Sequence, residues 1–204
     1  MINVIKDIDL YDHLSEYDLI LIGTNLYCTM SQGIQLKVML NYPYVFNKNL
    51  ETKYGDMEKL GTILDCKGNG DDEPNFCLCF ITKGFNFRPD LESDYLSYEA
   101  LEKCLKLVNI VYKGKKIACP LLGSSRFDGN GDKERIYEIF NKCITDVELT
   151  IFDYFQKSRA EEMKEVRDNE LAVKKVDRKA YYELVKKRKE EAEKRFKKNG
   201  HRRY

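Results

Sequence analysis

The segment from Tyr17 to Gly23 constrains the fold more than any other part of the chain. It reads Tyr-Asp-Leu-Ile-Leu-Ile-Gly and is continuously aliphatic after its first two residues. Such a run is typical of a strand that is buried on both faces, as in a parallel sheet. Residues 25–33 are then polar, and from Ile34 the apolar positions recur at helical spacing, with Pro43 lying just past the end. A strand, a glycine-containing loop and a helix in this order are a common phosphate-binding arrangement.

Strand and helix patterns alternate along the chain as far as residue 152. Residues 65–74 are rich in glycine and contain a proline, which predicts a hairpin turn or loop between two strands. The alternation indicates an α/β domain with a mostly parallel sheet that is covered on both sides. The predicted strands are 3–5, 17–23, 60–64, 76–82, 116–122 and 147–152, and the predicted helices start at 34 and span 96–112 and 133–143.

Charge divides the chain near residue 156. Residues 157–204 carry 18 Lys and Arg against 10 Asp and Glu, whereas residues 1–156 carry 17 against 24. The overall net charge of +1 therefore hides an acidic body and a basic tail, and such asymmetry often marks an interaction tail. Because the tail has no proline and many charged residues, it predicts a long solvated helix. We expect a domain at 1–155 and a basic helical tail at 156–204.

The seven cysteines favour a reducing compartment. Cys77 and Cys79 alternate within one apolar run, and we expect such residues to be buried free thiols. His13 and His201 are the only histidines and there is no CxxC pair, so we expect no metal site. There is no charged-then-apolar leader, and no apolar run reaches the ~20 residues that span a bilayer. We therefore expect a cytoplasmic protein, in a cell, a host cell or a virion, with no membrane partner.

Two segments carry glycine-containing motifs after predicted strands. The first reads Gly23-Thr-Asn-Leu-Tyr-Cys-Thr-Met-Ser-Gln-Gly-Ile34 and continues to Leu40-Asn-Tyr-Pro43. The second reads Ile117-Ala-Cys-Pro-Leu-Leu-Gly-Ser-Ser-Arg-Phe-Asp-Gly129. Between them lie Phe80-Ile-Thr-Lys83 and then Ser97-Tyr-Glu-Ala-Leu101. The set resembles the macrodomain family, which carries similar motifs in the same order.

The resemblance implies a three-layer α/β/α macrodomain with a mixed, largely parallel sheet, followed by the charged helical extension. The motifs are similar to those of terminal ADP-ribose–protein glycohydrolases and ADP-ribose-1''-phosphate phosphatases, a subgroup with phage and microbial members. The implied ligand is ADP-ribose or a derivative, and no cofactor is implied. Backbone N–H groups of glycine-rich loops and a helix N-terminus can bind a diphosphate without a cation, which suits an acidic domain.

The resemblance also implies which residues contact the ligand. Asp7, followed by Ile8, takes the position of the acid that accepts a hydrogen bond from the adenine amino group, although a surface turn is the alternative. Asn25 aligns with the residue that holds the distal ribose, and a strand-end turn is its alternative. Gly33 and Ile34 would offer backbone to the diphosphate. The opposite wall would consist of Gly123, Ser124, Ser125 and Arg126, with Phe127 packed against the distal ribose or, alternatively, into the core.

Lys83 and Asp128 are the catalytic pair that the resemblance implies. A lysine near the anomeric carbon can act as a nucleophile, and a nearby aspartate can accept or deliver a proton as the acyl or phosphate group departs. The alternatives are an ordinary strand-end lysine and a turn residue in an Asp-Gly-Asn-Gly sequence. Asp132 is a second candidate acid, but the N-cap of the following helix is an equal interpretation.

Three functions remain open from the sequence. The chain is a hydrolase of ADP-ribosyl esters or of ADP-ribose-1''-phosphate, a non-catalytic reader of ADP-ribose-like nucleotides, or a structural protein, for example of a virion. The first loop departs from the family pattern, because Ser31 and Gln32 precede Gly33 where more glycine is usual, and Gln35 replaces a small residue. No Trp follows the second motif. Side chains at these positions can obstruct a diphosphate.

The end of the tail is a second candidate interaction site. Residues 186–189 read Lys-Lys-Arg-Lys, and further basic pairs follow as far as Arg203. Lysine and arginine contacts to phosphates give an affinity that falls steeply with salt. A solvated helix with Glu and Lys paired at i, i+4 is the alternative. We expect residues 181–204 to bind nucleic acid or an acidic protein surface.

Overall fold

The computed structural model describes residues 1–70, 73–84, 95–125, 129–154 and Lys186. All of these except Lys186 belong to one unit, Met1–Phe155. The predicted helical form of the tail lies outside the described residues, and the boundary near residue 155 also remains a prediction. In the part of the chain that is described, no helix has both the length and the apolar character needed to cross a bilayer.

Strands and helices alternate through the body as the sequence pattern predicts. Two short 3-10 helices, Leu10–Glu16 and Met57–Lys59, lie among them. The strands are β1 (Ile2–Lys6), β2 (Leu19–Asn25), β3 (Ile63–Cys66), β4 (Phe76–Thr82), β5 (Lys116–Pro120) and β6 (Glu148–Asp153), and the helices are α1 (Gly33–Asn41), α2 (Pro43–Glu51), α3 (Tyr98–Val111) and α4 (Lys133–Cys143).

The six strands form one sheet in the order β1-β6-β5-β2-β4-β3. Every neighbouring pair is parallel except β3 and β4, which are antiparallel. The short connection at 67–75 allows only a hairpin between β3 and β4, whereas a parallel pair needs a crossover connection of a dozen or more residues. The mixed, largely parallel sheet is therefore confirmed.

Helices cover both faces of the sheet. Successive side chains of a strand point to opposite faces. On one face, Leu21 of β2 and Cys79 of β4 join an apolar cluster with residues of α3 and α4. On the other face, the ring of Phe76 lies 5.3 Å from that of Tyr42, at the junction of α1 and α2. The three-layer α/β/α arrangement is thus confirmed, and all seven cysteines are buried and free.

Pro43 lies just past the end of α1, as the sequence pattern predicts. It also begins a second helix, α2, which the sequence pattern did not predict. Tyr42 is both the C-cap of α1 and the N-cap of α2. A proline suits the first position of a helix because its missing N–H has no intrahelical partner there. Because a proline also commonly follows a helix end, the sequence pattern did not reveal α2.

The strand predicted at 60–64 begins later than expected. Residues 60–62 instead form a turn after the 3-10 helix, in which the Thr62 amide donates to the Lys59 carbonyl at 2.9 Å. Gly61 has a φ of +86°, a left-handed conformation that interrupts the extended backbone before β3 starts. The turn has a further consequence, because it fixes the buried Lys59 close to the end of β2.

Candidate functional site

A crevice is expected where β2 and β5 part. The two strands pair only at Leu19 with Ile117 and at Ile20 with Ala118. Beyond these residues β2 continues beside β4, and β5 continues beside β6. After β2 the chain continues to β3 and β4 on one side of β2, and after β5 it continues to β6 on the opposite side. Ligands of open α/β sheets bind at such a reversal, outside the carboxyl ends of the strands.

Two loops flank this crevice. The first loop, residues 26–32, leaves the carboxyl end of β2, and the second loop, residues 121–132, leaves the carboxyl end of β5. Both predicted glycine-containing motifs therefore lie at one edge of the sheet, on either side of the strand reversal. Lys83 follows β4 at the same edge, and Asp7 follows β1. Neighbouring strands are about 4.8 Å apart, so Asp7 and Lys83 lie on strands about 19 Å apart across the sheet.

Asn25 organises the first loop with its own side chain. It is 7% exposed. Its Oδ1 accepts from the amides of Tyr27 at 2.9 Å and of Thr29 at 3.4 Å. Its Nδ2 donates to Thr29 Oγ1 at 2.6 Å and to the Thr29 carbonyl at 3.3 Å. These contacts match the strand-end turn interpretation. The role predicted for Asn25 on the ribose remains a prediction.

Gly33, the first residue of α1, has open space beside its backbone. Gly33 has a φ of +54°, and a Cβ built on it would meet no atom within 4 Å. The N-cap residue Gln32 makes no side-chain capping hydrogen bond, and the first turn contains no acidic residue. The first N–H groups of a helix lack intrahelical partners and carry partial positive charge. Gly33 and Ile34 thus combine the backbone donors and the electrostatics that an anion requires.

The glycines of the second loop are explained by one leucine. A Cβ on Gly123 would lie 2.5 Å from Cδ1 of Leu96, and a Cβ on Gly131 would lie 2.4 Å from Cδ2 of the same residue. A Cβ on Gly129 would lie 2.9 Å from the Gly123 carbonyl oxygen and 3.0 Å from Leu96 Cβ. Gly123 also accepts from the Gly131 amide at 2.9 Å. The close approach of Leu96 is reason enough for these glycines, whether or not a ligand binds.

The serines of the second loop are held by backbone contacts. The Ser124 hydroxyl donates to the Leu121 carbonyl at 2.7 Å. The Ser125 carbonyl accepts from the Asn130 amide at 2.9 Å, so the two ends of the 126–128 segment are tied together. Arg126, Phe127 and Asp128 lie outside the described residues, and their predicted roles are therefore untested.

A chain of backbone hydrogen bonds connects Lys83 to the second loop. The Lys83 amide donates to the Tyr95 carbonyl at 3.4 Å, and the Tyr95 amide donates to the Gly129 carbonyl at 3.1 Å. Hydrogen-bonded backbone segments lie about 4.8 Å apart, so two such steps, from Lys83 to Tyr95 and from Tyr95 to Gly129, place Lys83 and Gly129 within about 10 Å of each other. Gly129 directly follows Asp128, which lies outside the described residues, so the pairing of Lys83 with Asp128 remains a prediction. The sequence pattern gave no sign of Tyr95 in this position.

Lys83 itself is exposed and lies near a carboxylate. The pKa of Glu99 is lowered chiefly by the hydrogen bond from Lys103 and to a smaller extent by the charge of Lys83.

Asp132, the second candidate acid, caps α4 by accepting from the Arg135 amide at 2.8 Å. Its N-cap interpretation is therefore confirmed, and its backbone N–H also donates to Tyr98 Oη at 2.8 Å.

The far end of the crevice edge is formed by β1 and β6. Asp7 and Ile8 are exposed, and Asp7 has a φ of +60°, which matches a turn. The Asp7 amide donates to the Asp153 carbonyl at 3.3 Å. The ladder between β1 and β6 ends with the pair Lys6 and Asp153. Tyr154 directly follows β6 at this edge of the sheet and is exposed.

Asp153 is engaged by two side chains of α4. Its carboxylate accepts from Lys133 Nζ at 2.7 Å and from Tyr137 Oη at 3.2 Å. Burial, and then the Asp153 charge, raise the pKa of Tyr137 to about 12. The Tyr137 phenol therefore remains a neutral donor at physiological pH.

The described residues contain no group of three His, Cys, Asp or Glu side chains that could hold a metal ion.

Solved structures similar to this chain include macrodomains. The DarG macrodomain of Mycobacterium tuberculosis is 20% identical, with a TM-score of 0.52 over 74% of this chain and 97% of that one. The DarG macrodomain of Thermus aquaticus is 15% identical, with a TM-score of 0.54 over 75% and 98%. DarTG of Thermosipho africanus, solved with ADP-ribose, is 13% identical, with a TM-score of 0.59 over 77% of this chain and 43% of that one. No family model and no curated protein sequence matches.

The fold class follows from the sheet order and the two helical layers. A six-stranded, mixed sheet with helices on both faces and a strand reversal between β5 and β2 defines a three-layer α/β/α domain. The structural likenesses then specify this class further. The chain has the macrodomain fold.

Proposed function

We propose that the chain binds ADP-ribose or a derivative in the crevice between the first and second loops. The observation that supports this most is the separation of β2 from β5 after Ile20 and Ala118, together with the uncapped N-terminus of α1, the helix that follows β2. The DarTG structure of the same fold is a complex with ADP-ribose. In this arrangement the diphosphate accepts hydrogen bonds from the backbone at Gly33 and Ile34.

The adenine and the ribose fit the two ends of the crevice edge. Asp7 is an acceptor, which suits the adenine amino group, and the exposed Tyr154, which follows β6 at the same edge of the sheet, offers a ring for stacking. The distal ribose then lies toward β4, where Lys83 and the second loop come together. The separation of about 19 Å between these strands suits an extended dinucleotide-like ligand rather than a mononucleotide.

Hydrolysis of an ADP-ribosyl ester or of ADP-ribose-1''-phosphate is the reaction we assign to this site. The neutral Lys83 amine attacks C1'' of the distal ribose as the bond to the carboxylate or phosphate breaks. Asp128 delivers a proton to the departing oxygen and then removes one from water. Water releases Lys83, and the products are ADP-ribose and the free acid or phosphate.

A non-catalytic reader is the second candidate, and one observation favours it. Lys83 is exposed and near Glu99, so its ammonium has a carboxylate close by. A charged ammonium is not a nucleophile. In the reader, Lys83 would contribute charge to ligand binding without forming a covalent adduct.

Calorimetry with ADP-ribose, followed by turnover, separates these functions. Measurable heat and a raised melting temperature would support the binding proposal. The absence of both signals would favour a structural protein. Turnover is then compared for wild type, Lys83→Ala and Asp128→Ala, with Lys113→Ala as a matched control for the loss of a surface lysine. Equal rates in all four proteins would remove the catalytic assignment and leave the reader.

The tail is proposed to bind an acidic partner through residues 181–204. Its net positive charge suits nucleic acid, whose affinity should fall steeply as salt is raised. Deleting the residues after Gln156 should abolish retention on nucleic acid and leave ADP-ribose binding unchanged. Equal retention of the full and the shortened chain would contradict this role.

A further inference from the structure

Lys59 is a lysine buried beneath the first loop. It is 8% exposed and ends the 3-10 helix Met57–Lys59. Its Nζ donates to the Leu26 carbonyl at 2.7 Å and to Thr52 Oγ1 at 3.1 Å. None of the ion pairs between described residues includes Lys59. A buried charge without a countercharge opposes folding, so its presence calls for a compensating role.

The surroundings of Lys59 are apolar or weakly polar. Its Nζ lies 3.5 Å from Cys28 Sγ and 4.9 Å from the centre of the Phe80 ring. Burial lowers the pKa of Lys59, while Cys28 and the more distant Asp56 act against this shift. The ammonium is therefore stabilised by neutral acceptors and a ring face. These contacts hold the lysine side chain against the first loop without pairing it with a carboxylate.

The groups that Lys59 contacts are the start of the first loop. Leu26 directly follows β2, and its carbonyl also accepts from the Gly55 amide at 2.9 Å. Cys28 has a φ of +55°, an uncommon conformation for a residue with a side chain, and its Sγ donates to the Asn49 carbonyl at 3.3 Å. Lys59 therefore connects the start of the first loop to Thr52, the C-cap residue of α2.

We propose that Lys59 is a positioning residue that fixes the first loop, and so the N-terminus of α1, for an anionic ligand. Its effect on ligand affinity rests on the proposed function, but its effect on the loop does not. The ammonium holds the chain where β2 ends and so limits where Gly33 can lie. It also places a positive charge inside an acidic body, where low dielectric and weak salt screening extend its action.

The experiment compares wild type, Lys59→Met and Lys59→Arg in the full chain. Methionine has a similar length without the charge, and arginine keeps the charge and the donors. Lys113→Met is the matched control, because Lys113 is exposed and precedes β5 at the opposite edge of the sheet. Amide exchange in peptides that cover residues 26–34, ADP-ribose affinity by calorimetry and melting temperature are measured for each protein.

In Lys59→Met we expect amide exchange in 26–34 to accelerate about tenfold, from the loss of charged hydrogen bonds, while exchange in β2 and β4 stays unchanged. ADP-ribose affinity should fall about tenfold or more. Lys59→Arg should retain a large part of the slow amide exchange in 26–34 and of the ADP-ribose affinity. Lys113→Met should equal wild type in both measurements. The melting temperature of Lys59→Met should stay close to that of wild type, because the cost of burying the charge is also removed.

Unchanged exchange in 26–34 would overturn the proposal, and so would acceleration spread over the whole sheet, which would indicate general destabilisation. If Lys59→Met does not fold, Lys59→Gln, which retains a donor, takes its place in the same comparison. If wild type binds no ADP-ribose, the proposed function fails, while the exchange data still decide the role of Lys59. A loop that loosens without any loss of affinity would contradict the link to ligand binding.

Discussion

Gly123 and Leu96 approach each other so closely that no side chain fits between them. A Cβ on Gly123 would lie 2.5 Å from Leu96 Cδ1 and 2.9 Å from Cδ2, and the φ of Gly123 is +77°. Leu96 is 5% exposed, and its amide donates to the Gly129 carbonyl at 3.2 Å. The segment that follows β4 is thus packed into the second loop, and the shape of that loop depends on this contact.

Gly123→Ala should therefore destabilise the domain by about 2–4 kcal/mol, as the sum of a strained φ and overpacking. Leu96→Ala alone should cost about 2–5 kcal/mol through the cavity that it leaves. In the double variant the overpacking is relieved, so its loss should be smaller than the sum by at least about 1 kcal/mol. Chemical denaturation of the four proteins measures this coupling. Strict additivity would show that the second loop moves away from Leu96.

The Leu96 contact illustrates what the sequence reveals and what it does not. The apolar run from Phe76 to Thr82 predicted β4 with correct bounds, because burial on both faces leaves a local pattern. The glycines of the second loop suggested a ligand, yet their packing partner is distant in sequence and has no local signature. Asn25 is similar, since its position predicted a role at the site but only the structure reveals the contacts with Thr29.

Lys59 and α2 were missed for related reasons. A lysine in a charged stretch is usually solvated, and its burial depends on how the turn at 60–62 folds against β2. Helix α2 follows α1 with a proline at its first position, and a proline there resembles a helix end when only one helix is expected. The candidate site residues rest on motif order alone and remain predictions, whereas the contacts of Lys59 and the start of α2 required the tertiary structure.

Glu102 should control part of the acid stability of the α3–α4 pair. Its carboxylate accepts from Lys106 Nζ at 2.6 Å and from Lys142 Nζ at 2.9 Å, and these hydrogen bonds lower its pKa to about 2. Because the folded pKa is below the unfolded value of 4.5, this stabilisation is present above pH 4.5 and is lost as the pH falls toward 2. Glu102→Gln should unfold with a shallower pH dependence over that range.

The measurement for Glu102 is denaturant unfolding at several pH values between 2 and 6. Since the group is at the surface, added salt should reduce the difference between Glu102→Gln and wild type. Lys142→Met, which removes the contact between the two helices, should produce a smaller change in the same direction. A difference that is constant with pH would show that the carboxylate is not ionised differently in the folded state.

The seven cysteines should be unreactive in the native protein. All are buried, and burial raises the pKa of Cys66 to about 12 and that of Cys119 still higher. Because the thiolate is the reactive form, a thiol reagent at neutral pH should modify the folded protein only through opening of the structure. Rapid modification of all seven residues is expected in denaturant. Fast reaction of one cysteine under native conditions would identify a locally open segment by mass spectrometry.

Gln32 offers a test in which stability and ligand binding should change in opposite directions. It is the N-cap of α1 in extended conformation, but its side chain makes no capping hydrogen bond. Gln32→Asp should stabilise the domain by about 0.5–2 kcal/mol, because a short acceptor at this position caps the helix and its charge complements the helix dipole. The same carboxylate would compete with the ligand diphosphate for the helix N-terminus, so ADP-ribose affinity should fall.

Gln32→Asn separates the two effects, since its amide oxygen caps the helix without adding charge. We expect Gln32→Asn to gain a similar part of the stability and to lose less ADP-ribose affinity than Gln32→Asp. The loss in Gln32→Asp should shrink at high salt, as expected for repulsion between two anions in a solvent-accessible crevice. Equal ADP-ribose affinities of the two variants, with the stability gain present, would mean that the diphosphate binds away from α1 and that the open helix N-terminus serves another purpose.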